Sequence, residues 1–392
     1  MANNRSFDLV LFGATGFTGG LTAEYLARNA PASTRWALAG RSPSKLEQVR
    51  TQLAAINPAC ANLPLLIADV AEPDSLKRVA ESARCVITTV GPYIHYGEPL
   101  VAACAASGTH YVDLTGEPEF VDLMWLKHHE TAKKSGAKIV HCCGFDSIPH
   151  DLGAYFTVQQ LPQGAPIRME GFVRAGGGFS GGTLHSAVNA FSSARLYAKT
   201  RQERIAREDV ATARKVGAAG SGVRFHKDLA TWVVPMPTID PQIIKRSARA
   251  LEIYGPDFRY SHFVQVKSLP KVAGLMAGVG AMFALAQLKP TREWLLSKKN
   301  PGEGPSEAQR RKSWFRVRFY GEGGGKKVVT EVSGGDPGYG ETSKMLGESG
   351  LCLAFDSIPA GGGQMTPAQA MAVPLMARLM KAGIKFEVVG TT

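Results

Sequence analysis

The sequence lacks the cysteine patterns of disulfide-rich and zinc-binding proteins. Its 392 residues include six cysteines, no two of which form a CxxC pair, and most of them stand within apolar stretches. Cysteine and histidine never occur at the spacing of zinc ligands, so the sequence predicts no metal site. The first residues lack the basic segment and long apolar core of a signal peptide. These absences indicate a cytoplasmic protein with reduced, buried thiols.

Charged residues are also few, and they are unevenly distributed. They make up 20% of the chain against 44% hydrophobic residues, which excludes a disordered protein. Residues 1–150 contain 13 basic and 14 acidic residues, whereas 245–327 contain 17 basic and 6 acidic residues. A basic surface of this kind can face anionic lipid, nucleic acid or an acidic carrier. No nucleic-acid-binding module or basic–aromatic platform accompanies it, so no nucleic-acid partner is predicted.

The first 145 residues alternate short apolar runs with segments of helical length. Near-continuous apolar runs are typical of parallel strands that are covered on both faces. This alternation predicts an α/β fold with a Rossmann-type doubly wound parallel sheet. The predicted strands are 7–13, 35–40, 63–69, 85–91, 110–116 and 137–144.

The regular alternation of apolar runs and helical segments ends after about residue 150, which predicts a second, α+β domain. Strands are expected at 167–175, 259–266 and in a hairpin over 313–335. The predicted domains are a Rossmann-type domain at 1–150, an α+β domain at 151–365, and a C-terminal helix and strand at 366–392 that pack back on the first domain.

The first strand runs directly into the sequence GATGFTG, which has the spacing of a dinucleotide-binding turn. Gly13 allows the sharp turn, Gly16 leaves room for the pyrophosphate, and Gly19 lets the next helix pack close to the sheet. The helix N-terminus offers free N–H groups and a partial positive charge to phosphates. The cofactor-binding residues predicted in this turn are Gly13, Thr15, Gly16, Phe17, Thr18 and Gly19.

The end of the second strand distinguishes between the two nicotinamide cofactors. Arg41 stands 22 residues after Gly19, where NAD-binding domains usually have an acidic residue. Arg41 can pair with the 2′-phosphate of NADP(H), and Ser42 can add a hydrogen bond. The sequence therefore predicts NADP(H). Further cofactor contacts are predicted at the ends of the third and fourth strands, with Asp69 at the adenine edge and Val90, Gly91 and Pro92 on the nicotinamide side.

These motifs resemble the saccharopine dehydrogenase-like oxidoreductases. The resemblance includes GATGFTG, AGRS, the segment 88–117 and HCCGFDSIPHDLG at 141–153, and it continues to the closing TPAQAMAVPLMARL. It points in particular to the trans-acting enoyl reductase branch, which includes mycobacterial enzymes serving phenolic glycolipid and dimycocerosate synthesis. The resemblance implies a Rossmann domain followed by a catalytic α+β domain. The family also includes lysine-pathway enzymes and a eukaryotic membrane- or lipid-droplet-associated relative, so the substrate stays open.

Three residues are candidates for the acid–base chemistry of an enoyl reduction, which requires a donor that protonates the α-carbon. Tyr93 follows the fourth strand, where its hydroxyl could face the nicotinamide. Tyr111 and Asp113 share one face near the end of the fifth strand. Packing with a satisfied hydroxyl is the alternative for each tyrosine, and helix capping is the alternative for Asp113. His141 is interpreted as a core histidine.

Residues 272–288 form an uncharged, apolar stretch of 17 residues between Lys271 and Lys289. A helix of this length is about 25 Å long, whereas a comfortable membrane span needs roughly 20 residues. Three interpretations compete: a buried helix of the second domain or a homodimer contact, a membrane-inserting helix, and a transmembrane span. The basic window around the stretch favours a peripheral position on the inner face of the plasma membrane over a span.

The sequence thus predicts an NADPH-dependent reductase that acts on a lipidic or acyl-carrier-bound substrate of the enoyl type. One alternative is a saccharopine-type imine reductase of an amino-acid pathway, whose polyanionic substrate would require several convergent arginines. Arg174 is the obvious candidate for such an arginine in the first strand of the second domain. The other alternative is a non-catalytic, membrane-associated protein that binds NADP.

Overall fold

A computed structural model describes residues 5–176, 194–208, 214–297 and 304–391 of the chain. The strands of the described residues form two sheets. They are β1 (Phe7–Phe12), β2 (Trp36–Gly40), β3 (Leu65–Ile67), β4 (Ala83–Thr88), β5 (His110–Val112), β6 (Lys138–Val140), β7 (Ile167–Gly176), β8 (Lys215–Gly217), β9 (Arg224–His226), β10 (Thr231–Pro235), β11 (Asp257–Val266), β12 (Trp314–Gly323), β13 (Lys326–Gly334), β14 (Gly363–Met365) and β15 (Lys385–Thr391).

Helices connect and cover these strands. The α-helices of the described residues are Phe17–Asn29, Pro43–Ile56, Pro73–Ser82, Tyr93–Tyr96, Glu98–Ser107, Pro118–Ser135, Ile148–Val158, Ala194–Arg207, Asp240–Ala250, Leu269–Gln287, Lys289–Ser297, Glu307–Arg310, Gly340–Phe355 and Pro367–Lys381, and the 3₁₀ helices are Pro58–Asn62 and Glu252–Tyr254.

The first sheet is parallel and has the strand order β14-β6-β5-β4-β1-β2-β3. Both of its faces are covered, because alternate residues of β1 belong to different cores. Leu9 and Leu11 pack in the larger core, and Val10 and Phe12 pack in the smaller core on the opposite face. The predicted α/β class and all six predicted strands of this domain are confirmed. The apolar runs are continuous because neither face of the sheet meets solvent.

The chain returns to this first sheet near its end, which differs from the sequence assignment of 151–365 to the second domain. The helix Gly340–Phe355 packs on the sheet, and β14 adds a parallel strand beside β6. Gly350 allows the close approach, because a Cβ on it would lie 2.4 Å from Cδ1 of Ile87 in β4. Neither this helix nor β14 was predicted from the sequence.

The second sheet is mixed, with the order β15-β13-β12-β7-β11-β10-β9 and β8 paired to β11. Its strands β7 and β11 are parallel, and β12 and β13 form the predicted hairpin. The predicted C-terminal helix begins at Pro367, where Thr366 and Gln369 form a capping box. This helix packs against the helix Gly340–Phe355 and β6 of the first domain, whereas the strand that follows it pairs with β13 of the second sheet. The predicted packing of 366–392 on the first domain therefore holds for the helix and not for the strand.

The apolar helix Leu269–Gln287 lies on the outside of the second domain. It is 19 residues long, with a mean hydropathy of 1.6, and only 11% of its most apolar window is buried. By length and composition it could cross a membrane, and it is the one helix of the described residues that meets this criterion. The interpretation of 272–288 as a buried helix of the second domain is therefore wrong for this chain. The interpretations as a membrane-inserting helix, as a transmembrane span and as a contact between chains are left.

Candidate active site

The glycine-rich turn joins β1 to the helix Phe17–Asn29 at the carboxyl edge of the first sheet. Gly13 has a φ of +92°, a conformation that favours glycine. A Cβ on Gly19 would lie 2.1 Å from the carbonyl oxygen of Gly13, so this position also requires glycine. These two glycines have the structural roles that the sequence predicted for them.

Gly16 is different, because no protein atom requires a glycine there. Its backbone is extended, with φ −81° and ψ 164°, and a Cβ would meet nothing closer than the carbonyl oxygen of Gly13 at 3.5 Å. The residue is exposed, and the first turn of the helix contains no acidic residue. The first helical N–H groups have no acceptor within the helix. A smooth, electropositive surface of this kind fits a pyrophosphate, and the contacts of Thr15 and Thr18 with it stay predictions.

Phe17 contributes its backbone to this turn, while its side chain faces the second domain. The ring contacts Tyr339 edge-on at a centroid distance of 4.8 Å, and the guanidinium carbon of Arg310 lies 5.6 Å from its centroid. The turn is thus held in place by residues from both halves of the chain. Contact of Phe17 with the cofactor stays a prediction.

Arg41 and Ser42 stand at the carboxyl end of β2, as predicted. Arg41 is exposed and has no hydrogen-bond or ion-pair partner among the described residues. Ser42 precedes the helix Pro43–Ile56, but its hydroxyl does not cap that helix. Both side chains are therefore available to a ligand phosphate at the edge where the turn lies.

We expect Arg41→Ala to remove most of the preference for NADPH over NADH. A charge-assisted hydrogen bond contributes about 1.5–3 kcal/mol, so NADPH affinity should fall about 10- to 150-fold, with NADH affinity nearly unchanged. Isothermal titration with both cofactors measures the two constants. Equal affinities for NADPH and NADH in the unmodified protein would contradict the role of Arg41.

The segments that follow β3 and β4 reach the same edge. The hydroxyl of Thr89 donates to the carbonyl of Gly13 at 3.1 Å, which joins the segment after β4 to the turn. The predicted nicotinamide-side residues Val90, Gly91 and Pro92 follow it, and none of them is fully buried. Asp69 accepts a hydrogen bond from the backbone of Ala71 at 3.0 Å. These four contacts to the cofactor stay predictions.

Tyr93, the first predicted acid, points into the protein. Only 4% of the residue is exposed, and its hydroxyl donates to the carbonyl of Thr88 at 3.1 Å. Burial raises the pKa of Tyr93 well above its usual value, and the charge of Asp113 adds to the rise. The structure therefore gives no support to Tyr93 as the proton donor.

Tyr111 and Asp113 do meet, and they meet a third residue that was interpreted as core. The Tyr111 hydroxyl donates to Asp113 Oδ2 at 2.9 Å, and Nδ1 of His141 lies 2.6 Å from the same oxygen. The other oxygen of Asp113 accepts from the backbone N–H groups of Thr115 and Cys142. All three side chains are buried, so this network fixes the loops after β5 and β6. Direct contact of Tyr111 or Asp113 with a substrate stays a prediction that the burial disfavours.

Asp146, which the sequence reasoning did not single out, is the better candidate for an acid. It lies in the loop between β6 and the helix Ile148–Val158, and its Oδ2 would be 3.3 Å from a Cβ on Gly116 in the loop after β5. The residue is partly buried, and its carboxyl group makes no hydrogen bond to the described residues. Burial raises the pKa of Asp146 to about 7, and the charge of Asp240 adds to the rise. A carboxyl group that titrates near neutral pH is suited to proton transfer.

A second buried group lies close to this loop and consists of His150, Asp240 and His262. Ligand atoms of the three residues lie within 4.8 Å of one another. Burial lowers the pKa of both histidines, that of His262 to about 3. No sequence motif predicts this group, because its three residues are separated by 90 and 22 positions and meet only in the folded chain.

The arginines do not converge on Asp146. Arg174 is exposed, with its guanidinium carbon 5.7 Å from the centroid of Trp314. Arg204 and Arg246 are buried, but each forms an ion pair: Arg204 with Asp122 at 2.7 Å, and Arg246 with Glu208 at 3.6 Å. Among the described residues, no unpaired arginine cluster of the kind that a polyanionic substrate requires lies beside the loop.

Comparison with known proteins agrees with this geometry. Residues 9–140 match the model of the saccharopine dehydrogenase NADP binding domain. This match confirms the predicted NADP-binding domain, and it includes the glycine turn from Gly13 onward and Arg41.

Full-length relatives extend the similarity to the second domain. The chain is 40% identical, over 98% of both proteins, to a Mycobacterium tuberculosis protein that is provisionally named a trans-acting enoyl reductase. It is 33% identical, over 97% of both, to the trans-acting enoyl reductase of Mycobacterium ulcerans. It is 32% identical to the saccharopine dehydrogenase-like oxidoreductase of Rattus norvegicus, over 99% of this chain and 98% of the relative.

Among solved structures, the fold is similar to that of the L-Glu-forming saccharopine dehydrogenase of Saccharomyces cerevisiae in its apo form. The TM-score is 0.56 at 13% identity, and the similarity covers 98% of this chain and all of the yeast chain. At this identity the comparison supports the fold, a Rossmann-type domain with a second mixed-sheet domain.

Proposed function

Because the chain belongs to the saccharopine dehydrogenase-like oxidoreductases and has their NADP-binding domain, we propose that it is an NADPH-dependent enoyl reductase. Its proposed substrate is the 2-enoyl thioester of a lipidic or polyketide-type acyl chain. The names of the relatives at 40% and 33% identity support the reaction class. The observation that carries the proposal is the free carboxyl group of Asp146 at the edge of the sheet where the glycine turn lies.

In this proposal, one set of residues binds the cofactor and another residue transfers the proton. The turn from Gly13 to Gly19 holds the pyrophosphate of the cofactor, and Arg41 holds its 2′-phosphate. NADPH, when bound, supplies the hydride that the β-carbon of the enoyl group accepts. Asp146 supplies the proton that the α-carbon requires and is left as a carboxylate, which water can reprotonate.

The assay for this proposal follows NADPH oxidation with two substrate classes. The first is a long-chain 2-enoyl thioester of pantetheine, and the second is a mixture of an aldehyde and an amino acid that forms an imine. We expect turnover with the thioester and none with the imine, because Arg204 and Arg246 are already paired. Turnover with the imine alone would favour the amino-acid-pathway alternative. NADPH binding without turnover of either would favour the non-catalytic alternative.

The exposed helix Leu269–Gln287 supports a lipidic substrate, and within the same proposal we assign it to an anionic membrane surface. Leu269, Met276 and Phe283 are each about half exposed on it. Exposed basic residues flank the helix, among them Lys267, Lys271 and Lys289. A partly inserted apolar face combined with basic residues is typical of helices that lie in the membrane interface.

We expect the protein to bind anionic liposomes, and we expect part of this binding to persist in high salt. Electrostatic attraction is screened by salt, whereas burial of apolar side chains is not. Met276→Ser with Phe283→Ser should therefore abolish the salt-resistant part, as measured by liposome flotation.

The matched control is Val373→Ser with Met380→Ser. These two residues are also exposed and seven positions apart, but they lie on the helix Pro367–Lys381. This control should bind like the unmodified protein. Absence of liposome binding at low salt, together with a dimer that dissociates in the Met276 and Phe283 variant, would assign the helix to a contact between two copies of the chain.

A further inference from the structure

The group His150, Asp240 and His262 joins three separate elements of the second half of the chain. His150 lies in the first turn of the helix Ile148–Val158, Asp240 begins the helix Asp240–Ala250, and His262 lies in β11. All three are buried, with relative exposures of 1%, 0% and 4%. The group is therefore closed to bulk water, which makes any unsatisfied polar atom in it costly.

Each histidine of the group has one ring nitrogen that is held and one that is not. Nδ1 of His150 lies 3.0 Å from the carbonyl oxygen of Phe145, and Nδ1 of His262 lies 2.7 Å from the hydroxyl oxygen of Tyr260. Thr238 donates to Asp240 Oδ2 at 2.5 Å. Nε2 of both rings is buried and has no hydrogen-bond partner among the described residues. Nε2 of His262 lies 4.0 Å from Asp240 Oδ2, and Asp240 Oδ1 lies 3.2 Å from Nδ1 of His150.

The unpartnered atoms offer electron pairs and not hydrogens. A carbonyl oxygen can only accept, so Nδ1 of His150 carries the hydrogen and its Nε2 carries the lone pair. The hydroxyl of Tyr260 can donate or accept, so His262 can take the same form, with the hydrogen on Nδ1 and the lone pair on Nε2. The group therefore places a carboxylate beside two buried ring nitrogens that can bind a cation.

We propose that His150, Asp240 and His262 bind a divalent transition-metal cation. Two imidazoles and one carboxylate form a common ligand set for Zn²⁺ and Fe²⁺. Holding the second ring nitrogen by a carbonyl or hydroxyl is the usual arrangement around a metal-binding histidine. Tetrahedral zinc ligands lie about 3.3 Å apart, so the cation would draw the three residues closer together.

The cation would fix the loop that carries Asp146. Asp146 and Ser147 immediately precede the helix of His150, whereas Asp240 and His262 belong to the part of the chain around the second sheet. A metal bound by all three would tie this loop to the second sheet. The role is structural and differs from the reduction itself, so the site is tested without any enzymatic assay.

The test is the metal content of the untagged, full-length protein after incubation with Zn²⁺ and desalting. We expect one tightly bound zinc ion per chain by plasma mass spectrometry, and Co²⁺ in its place should give the visible absorption of a low-symmetry site. Tyr260→Phe, which removes only the hydroxyl beside His262, should weaken zinc affinity about 10- to 100-fold. Failure of the unmodified protein to retain Zn²⁺ or Co²⁺ would overturn the proposal, whatever the variants do.

A pair of matched variants distinguishes this site from adventitious binding by histidine. His150→Ala with His262→Ala should lose the bound zinc, whereas His129→Ala with His226→Ala, which changes two histidines outside the group, should retain it. Circular dichroism of each variant shows whether it is folded. Retention of the zinc by a folded His150 and His262 variant would also overturn the proposal.

Discussion

Gly16→Val should lower NADPH affinity at least about 100-fold without unfolding the protein. The backbone of Gly16 has a φ of −81° and a ψ of 164°, which valine adopts without strain. The branched side chain would instead occupy the space above the turn and keep the pyrophosphate from the helix N-terminus. Loss of two charge-assisted hydrogen bonds, each of about 1.5–3 kcal/mol, accounts for an effect of this size.

The matched control for this variant is Gly20→Val, one turn further along the helix. A Cβ there would lie 3.9 Å from the nearest protein atom, the carbonyl oxygen of Ala14, so it should fold and bind NADPH normally. Titration calorimetry and thermal unfolding of both variants separate binding from stability. NADPH binding by the Gly16→Val protein at the unmodified affinity would mean that the pyrophosphate lies elsewhere.

Asp146→Asn should lower the turnover of an enoyl thioester about 100- to 10,000-fold, the usual contribution of a general acid. Asparagine has nearly the same shape as aspartic acid but has no carboxyl proton to give. The side chain makes no hydrogen bond among the described residues, so the fold should be little affected. The affinity for NADPH should stay unchanged, since the glycine turn and Arg41 are intact.

The chain offers a matched control, because the pentapeptide FDSIP occurs a second time at 355–359. Asp356 in this second copy forms an ion pair with Arg378 at 2.5 Å, at the end of the helix Gly340–Phe355. Asp356→Asn should therefore lower the unfolding temperature but retain turnover. An Asp146→Asn protein that turns over normally would assign the proton to another group or to water.

The sequence does not predict the direction in which a side chain points, and this limited the prediction of the catalytic acid. The position of Tyr93 after β4 was correctly predicted, but the rotation of the short helix Tyr93–Tyr96 turns its hydroxyl toward Thr88. No sequence motif marks Asp146 as a functional residue. Its unpartnered carboxyl group results from how the loops after β5 and β6 face each other.

Local sequence patterns were sufficient to predict the first domain and its cofactor turn. Apolar periodicity and glycine spacing are local, and they specify burial on both faces and the sharp turn at Gly13 through residues only a few positions apart. The contacts between segments that are distant in the sequence are seen only in the folded chain. Folding returned β14 to the first sheet, exposed the helix Leu269–Gln287, and brought His150, Asp240 and His262 together. Such contacts depend on the packing of whole helices and strands against one another, and no local pattern of residues predicts that packing.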